Sequence, residues 1–254
     1  MGKYGEILED FYKERTRILD VLALDENKHV IMRLIGALAF RTQCPKYGYI
    51  QDRLDRKFTD IDFASYPRFV RDIRRVLTEL GYEEDKQVTQ LFGDRRMLFH
   101  DPAFGRHIDI FFNALDFCHV LNFVGRLEAQ ALTLPLAELL LEKMQIVQIN
   151  EKDIIDTIML LREHEVCADD EDHINSAHVA KLCAEEWGLW RTTSMNLEKV
   201  RDYLPHVDLE EADKAVVAQR AAEVLSAMDD YPKGTKWKLR ARVGDKVKWY
   251  RAID

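Results

Sequence analysis

The strongest constraint in the chain is a pair of aspartates separated by one apolar residue. In residues 58–63 (FTDIDF) polar and apolar side chains alternate, which predicts a β-strand. Successive strand side chains point to opposite faces, so Asp60 and Asp62 share one face while Ile61 and Phe63 enter the core. Two carboxylates on one face repel each other unless a cation or solvent screens them. Mg²⁺ prefers carboxylate and phosphate oxygens, so the pattern suits a metal site. By itself, however, such a pair is more often a solvated strand face, and the surrounding elements decide between the two.

A second acidic strand follows at residues 107–112 (HIDIFF), where Asp109 stands between two inward isoleucines. Three carboxylates from two neighbouring strands can hold two metal ions about 3.5–4 Å apart, polarise a phosphoryl group and activate an attacking hydroxyl. The two strands together therefore predict nucleotidyl transfer. His107 falls on the same face as Asp109, where it would order that carboxylate or contact substrate, with a structural histidine as the alternative.

The remaining periodicity predicts a mixed α/β fold in which a small mixed sheet is flanked by helices. A helix is expected over residues 5–24, a strand leading into Gly36 with a helix after it, and strands within 88–112. Residues 66–80 predict a further helix, because Pro67 stands in its first turn and Gly81 follows its end.

The second half of the chain is predicted to be a helical bundle. After Leu134-Pro135 the apolar stripes have helical spacing, which divides the chain into domains of residues 1–134 and 135–254. The expected helices cover 136–149, 152–161, 174–190 and 208–228.

Four sequence elements occur in an order typical of one family. They are Leu34–Phe40 with its Gly36-Ala37 turn, Arg56–Phe63 with the aspartate pair, Asp109, and a helix pair represented by Leu136–Lys143 and Lys152–Asp156. In these elements the chain resembles the nucleotidyltransferase superfamily that includes DNA polymerase beta, and within it the AbiEii-like toxin group. The resemblance covers about half of the chain.

The resemblance implies Mg²⁺-dependent transfer of a nucleoside monophosphate from an NTP donor to a hydroxyl acceptor, such as a tRNA end, and a possible antitoxin partner. Asp60, Asp62 and Asp109 would be the catalytic and metal-binding residues. The substrate-binding residues would be Gly36, Ala37, Arg56, Thr59, Lys143 and Asp156, with Asp156 favoured over Asp153. Ala37 stands where the family usually has Gly or Ser. Two alternatives stay open: a small-molecule adenylyltransferase like those that modify aminoglycosides, and a non-catalytic nucleotide- or RNA-binding protein of this fold.

The C-terminal segment is strongly basic. Residues 231–254 hold eight cations and two acids, against a net charge of −8 for the whole chain. Cations and apolar residues alternate from 235 to 243 and again after Gly244-Asp245, which predicts a β-hairpin. Its basic face would contact RNA phosphates, or would be a solvated edge that opposes aggregation. The residues predicted for that face include Lys236, Lys238, Arg240 and Arg242.

Composition predicts a cytoplasmic protein with no membrane segment. No apolar run approaches the ~18 residues of a membrane helix, and the polar start lacks the apolar region of a signal peptide. The four cysteines show no Cys-x-x-Cys pairing and are expected to be reduced. We also expect no zinc site, because the spacing of the relevant residues fits no zinc signature. These residues are His164, Cys167, His173, His178 and Cys183.

Overall fold

The computed structural model describes residues 2–52 and 58–252. Elements are numbered along the chain. The helices are α1 Phe11–Ala23, α2 Gly36–Gln43, α3 Tyr49–Asp52, α4 Val70–Glu79, α5 Lys86–Phe92, α6 Leu136–Met144, α7 Glu151–Glu163, α8 Ser176–Glu185, α9 Trp187–Tyr203, α10 Glu211–Asp230 and α11 Thr235–Val243. The strands are β1 Met32–Ile35, β2 Asp60–Ser65, β3 Glu83–Glu84, β4 Arg96–His100, β5 His107–Phe112, β6 Ala114–Asp116, β7 Val120–Asn122, β8 Val166–Cys167 and β9 Ile174–Asn175. The predicted mixed α/β class is confirmed.

The described residues form two compact units. The first comprises 2–42, 58–115 and 122–134, and the second comprises 43–52, 116–121 and 135–252. No helix in the described part of the chain has both the length and the apolar character needed to cross a lipid bilayer.

The first unit is built on a five-stranded mixed sheet with the strand order β1-β2-β5-β4-β3. Strands β2 and β5 are parallel, whereas the β1–β2, β4–β5 and β3–β4 pairs are antiparallel. The apolar residues that alternate with the aspartates are fully buried, including Ile61, Phe63, Ile108 and Ile110. This burial holds β2 and β5 with their aspartates on the other face.

Local capping explains where several helices begin and end. Asp10 accepts hydrogen bonds from the amides of Tyr12 and Lys13 at the start of α1. The helix expected over 66–80 is a 3₁₀ turn at Pro67–Phe69 followed by α4, and Gly81 follows with a φ of +98°. Residues 88–92, at the start of the region predicted to form strands, instead belong to α5, because Asp85 caps the amides of Gln87 and Val88.

The second unit is largely helical, as its apolar periodicity predicts. Asn150 caps α7 and Asn175 caps α8, in each case through a side-chain oxygen that accepts a backbone N–H. The single stripe expected over 174–190 is divided between α8 and α9, which meet at Glu186.

The predicted C-terminal β-hairpin is wrong. Residues Thr235–Val243 form α11, and Gly244 ends this helix with a φ of +58°. Lys, Arg, Leu and Ala are strong helix formers, and a helix satisfies its own backbone hydrogen bonds, whereas an isolated two-stranded hairpin is only marginally stable in water. The glycine that predicted a hairpin turn therefore stands at a helix C-terminus.

Candidate metal and phosphate site

Three aspartates share one face of the sheet in the first unit. Asp60 and Asp62 lie on β2, and Asp109 lies on the neighbouring parallel strand β5. The register places Asp62 directly opposite Asp109. Because side chains that are opposite each other on paired strands project from the same face, the three carboxylates converge. The structure thus brings together the three residues that sequence reasoning selected as metal ligands; we call this group the aspartate cluster.

Arg96 on β4 supplies a positive charge to the aspartate cluster. Its Nε donates to Asp109 Oδ1 at 2.6 Å and its Nη2 to Asp109 Oδ2 at 2.8 Å. The pKa of Arg96 is raised, chiefly by this hydrogen bonding and further by attraction to Asp109, Asp62 and Asp60. The arginine side chain is 41% exposed and the Asp109 side chain 14%. The net charge of this group stays negative, which favours a further cation.

Sequence reasoning did not identify Arg96. The alternation of residues 96–100 shows only that Arg96, Leu98 and His100 share a face. The contact with Asp109 depends on the antiparallel register of β4 against β5, in which Leu98 lies opposite Asp109. No local pattern in the sequence specifies that register.

Gly36 brings backbone close to the aspartate cluster at the start of α2. It has a φ of +66°, and a Cβ atom added there would lie 2.5 Å from Asp62 Oδ2. The positive φ favours glycine, and any larger residue would have to displace the Asp62 carboxylate. The first amides of a helix attract anions, so the α2 N-terminus suits phosphate oxygens. Ala37 is the next residue of this helix and is half-buried.

Thr59 orients one carboxylate of the cluster. Its hydroxyl donates to Asp60 Oδ2 at 2.8 Å, and Thr59 itself is exposed. Thr59, predicted to bind substrate, thus contacts Asp60, which is a predicted metal ligand. Arg56, also predicted to bind substrate, lies outside the described residues.

His107 lies on the aspartate-bearing face, since it is opposite Asp60 in the register of β2 and β5. Its Nδ1 is 2.9 Å from Nδ1 of His100, whose Nε2 is 3.1 Å from Asp85 Oδ2. One imidazole must donate and the other accept in the histidine pair. This contact connects His107 to the N-terminal cap of α5.

Lys143 and Asp156 are brought together in the second unit. Lys143 Nζ lies 3.2 Å from Asp153 Oδ1, 3.3 Å from Asp156 Oδ2 and 3.6 Å from Glu142 Oε1. Asp156 is fully buried, and its Oδ1 accepts a hydrogen bond of 2.7 Å from Gln51 Nε2. Asp153 and Asp156, the two candidates for one substrate-binding position, therefore both contact Lys143. We call Lys143, Glu142, Asp153 and Asp156 the lysine cluster.

A cavity of about 490 Å³ in the second unit combines aromatic rings with cations. Arg240 stacks over the ring of Trp187 at 4.3 Å. The indoles of Trp237 and Trp249 donate to Cys183 O and Thr192 Oγ1, which fixes both rings. We call this the aromatic–basic cavity; its lining includes Trp187, Trp237, Trp249, Lys236, Arg240 and Lys248.

Four of the cations predicted for one hairpin face lie instead on different sides of α11. Lys236 and Arg240 are four residues apart and line the aromatic–basic cavity together. Lys238 and Arg242 form another such pair and are exposed. At 100° per residue the two pairs lie on different sides of the helix, so the predicted continuous basic face does not form.

None of the protein-family models, curated proteins and solved structures compared with this chain matches it.

Proposed function

We propose that the chain is a Mg²⁺-dependent nucleotidyltransferase that moves a nucleoside monophosphate from an NTP to a hydroxyl acceptor. The observation that carries this proposal is the convergence of Asp60, Asp62 and Asp109 on one sheet face, beside the positive-φ glycine that opens α2. The donor set consists of carboxylate oxygens, which suits Mg²⁺. Sequence resemblance and this geometry select the same three residues.

In the proposed reaction Asp60 and Asp62 hold the metal-bound triphosphate, with Thr59 orienting Asp60. When bound, Mg²⁺ neutralises charge on the transferring phosphoryl group. Asp109 completes the metal site and draws the proton from the acceptor hydroxyl. The hydroxyl oxygen then forms a bond to the α-phosphorus while the bond to pyrophosphate breaks. The α2 amides at Gly36 accommodate phosphate oxygens.

Arg96 fits this scheme as the group that orients Asp109. A carboxylate has about four lone-pair sites, so bidentate pairing with arginine leaves capacity for a metal.

For the acceptor, the aromatic–basic cavity favours a nucleic acid. Aromatic faces stack on unpaired bases, and lysine and arginine attract phosphates. The cavity offers both kinds of contact, because Lys236 and Arg240 line it together with Trp187 and Trp237. We therefore propose RNA, such as a tRNA end, as acceptor; Lys238 and Arg242 extend the positive charge. Lys143 as a phosphate ligand, an antitoxin partner and a cytoplasmic location stay predictions.

The donor half of the proposal is tested by thermal unfolding with each of the four NTPs, with and without Mg²⁺. A ligand at a hundredfold excess over its Kd stabilises the folded protein by about 2.7 kcal/mol, which shifts the midpoint by roughly 5–10 °C. We expect a Mg²⁺-dependent shift with at least one NTP that is absent in Asp60→Asn/Asp62→Asn. The matched control is Asp25→Asn/Asp94→Asn, in which both altered side chains are exposed. If no NTP shifts the wild-type midpoint, donor binding is refuted.

The acceptor half is tested by transfer of label from α-phosphate-labelled NTP. Reactions contain either total RNA or a cationic aminoglycoside. We expect label in RNA, and weaker labelling by Lys236→Gln/Arg240→Gln. Label on the aminoglycoside alone would favour the small-molecule enzyme. NTP binding without transfer to either acceptor would favour the non-catalytic alternative.

A further inference from the structure

The segment between α7 and α8 forms a small parallel ribbon. Strand β8 pairs with β9 in a register that places Val166 opposite Ile174, and the amide of Ile174 donates to Glu165 O at 2.8 Å. Side chains alternate along a strand, so Glu165 and Cys167 project from the same face. His173 immediately precedes β9 and lies beside Glu165, because Val166 is opposite Ile174 in the register. The ligand atoms of these three side chains all lie within 4.8 Å of one another.

We infer that Glu165, Cys167 and His173 form a Zn²⁺ site in the second unit. The set contains a thiol, an imidazole and a carboxylate, all of which are established zinc ligands. Zinc bonds of about 2.0–2.3 Å in tetrahedral geometry require ligand atoms about 3.3–3.6 Å apart. The ligand atoms here lie within 4.8 Å of one another, so small side-chain rotations would bring all three to bonding distance of one zinc ion. Three protein ligands leave the fourth tetrahedral position to water.

The hydrogen bonding of His173 supports this site independently. Its Nδ1 is 2.8 Å from Asp169 Oδ1, and the same oxygen accepts the amide of Glu171 at 2.9 Å. A histidine that binds metal through one ring nitrogen usually donates the other to a carboxylate, which fixes the tautomer. Asp169 holds Nδ1 in this way and leaves Nε2 for the metal. Asp169 is thus a positioning residue.

The surroundings give a cation access from solvent. His173 has 30% of its side chain exposed and Asp169 54%, so both are reached from solvent. A polar cavity of about 270 Å³ adjoins Glu165 and is lined in part by Arg220 and Glu223 of α10. Arg220 Nη1 donates to the carbonyls of Leu161 and Arg162, which directs that guanidinium nitrogen to backbone oxygens.

This inference replaces the expectation that the chain has no zinc site. Sequence spacing alone does not reveal this cluster, because a zinc signature depends on pairs of ligands close in sequence. Here His173 reaches Glu165 and Cys167 only through the pairing of β8 with β9. The site lies apart from the proposed nucleotidyltransferase residues in the sequence and does not depend on that function.

The test uses full-length protein stripped of metal and kept under a non-thiol reductant. Zinc binding is measured by competition with a chromogenic chelator, and Co²⁺ is added as a spectroscopic probe of the ligands. We expect one equivalent of zinc and a thiolate-to-cobalt charge-transfer band. Cys167→Ser should abolish that band, and His173→Gln should lose zinc affinity. Asp169→Ala should bind zinc about 10- to 100-fold more weakly.

Two controls keep the test specific. His206→Gln alters an exposed imidazole of the same unit and should bind zinc as wild type does. Asp60→Asn/Asp62→Asn should also retain the zinc, which excludes binding at the aspartate cluster. Circular dichroism of the metal-free variants checks that each one folds. The inference is overturned if wild type binds no zinc, or if folded Cys167→Ser and His173→Gln bind it as tightly as wild type.

Discussion

The aspartate cluster and the lysine cluster each combine three carboxylates with one cation, yet they differ in exposure. In the first, Arg96 is 41% exposed and makes a bidentate pair with Asp109. In the second, the Lys143 side chain is 10% exposed and Asp156 is fully buried. Charges accessible to water can exchange one cation for another, whereas buried charges depend on the partner that they already have. The first arrangement suits a ligand-binding site, and the second is a charge network paired largely within the protein.

The secondary structure that carries each cluster explains why the two differ in exposure. Strands present alternate residues, so the aspartates of β2 and β5 lie on one face while the isoleucines fill the core. Every residue of α6 is buried, and so are residues 155–161 of α7. A charge in the middle of such helices has to be paired within the protein.

The largest effect expected is loss of nucleotidyl transfer in Asp60→Asn/Asp62→Asn. Removing both carboxylates removes the oxygens that hold the metal and the triphosphate, so activity should fall by about 10²–10³-fold or more. Without ligand, the thermal midpoint should rise, because like charges on one strand face repel each other. Activity is followed as labelled product and stability by calorimetry. A variant that is both inactive and strongly destabilised would show that the aspartates are needed for folding. The aspartate cluster would then not differ from the lysine cluster in its role.

The next effect is a loss of stability in Lys143→Met. The substitution leaves Asp153 and Asp156 without their buried cation, so we expect the free energy of unfolding to fall by about 3–5 kcal/mol. Chemical denaturation measures it. The matched control is Lys28→Met, whose ion pair with Asp25 is exposed and should contribute less than about 1 kcal/mol. Equal effects of the two substitutions would show that the lysine cluster is not a buried network.

A smaller effect is expected for Gly36→Ala, compared with Gly105→Ala. Both glycines have positive φ, +66° and +72°, so both variants incur a backbone cost of about 1–2 kcal/mol. The new Cβ meets Asp62 only at position 36, since no atom lies within 4 Å of the Cβ position at Gly105. Gly36→Ala should therefore lose the Mg²⁺·NTP-dependent thermal shift, and Gly105→Ala should keep it. If folded Gly36→Ala kept the thermal shift, the backbone at Gly36 would not be needed for nucleotide binding.

The smallest effect on stability is expected for Arg96→Met. Its pair with Asp109 is partly exposed and contributes about 0.2–1 kcal/mol. Removing the cation makes the aspartate cluster more negative, so Mg²⁺ alone should stabilise this variant more than wild type. Thermal unfolding across a Mg²⁺ titration measures the difference. A loss of several kcal/mol would place Arg96 among the structural charges, together with Lys143.

Much of the first unit could be predicted from local sequence. The alternation at 58–63 and 107–112 predicted both acidic strands, and Pro67 and Gly81 correctly bracketed a helix. Prediction was weaker where two local signals competed. Residues 88–92 fall within the region predicted to form strands, but the Asp85 cap and the spacing of Val88, Leu91 and Phe92 favour a helix. Residues 235–243 alternate strictly, yet their helix-forming side chains form α11.

The sequence by itself determined which residues share a strand or helix face, because side-chain period and end-capping depend on residues only a few positions apart. It therefore determined that Asp60 and Asp62 project together. Only the tertiary structure decided that Asp109 lies opposite Asp62, that Arg96 pairs with it, and that β8 and β9 bring Glu165, Cys167 and His173 together. Strand neighbours and their register are selected by burial of the whole core, and that energy is shared among residues far apart in the chain.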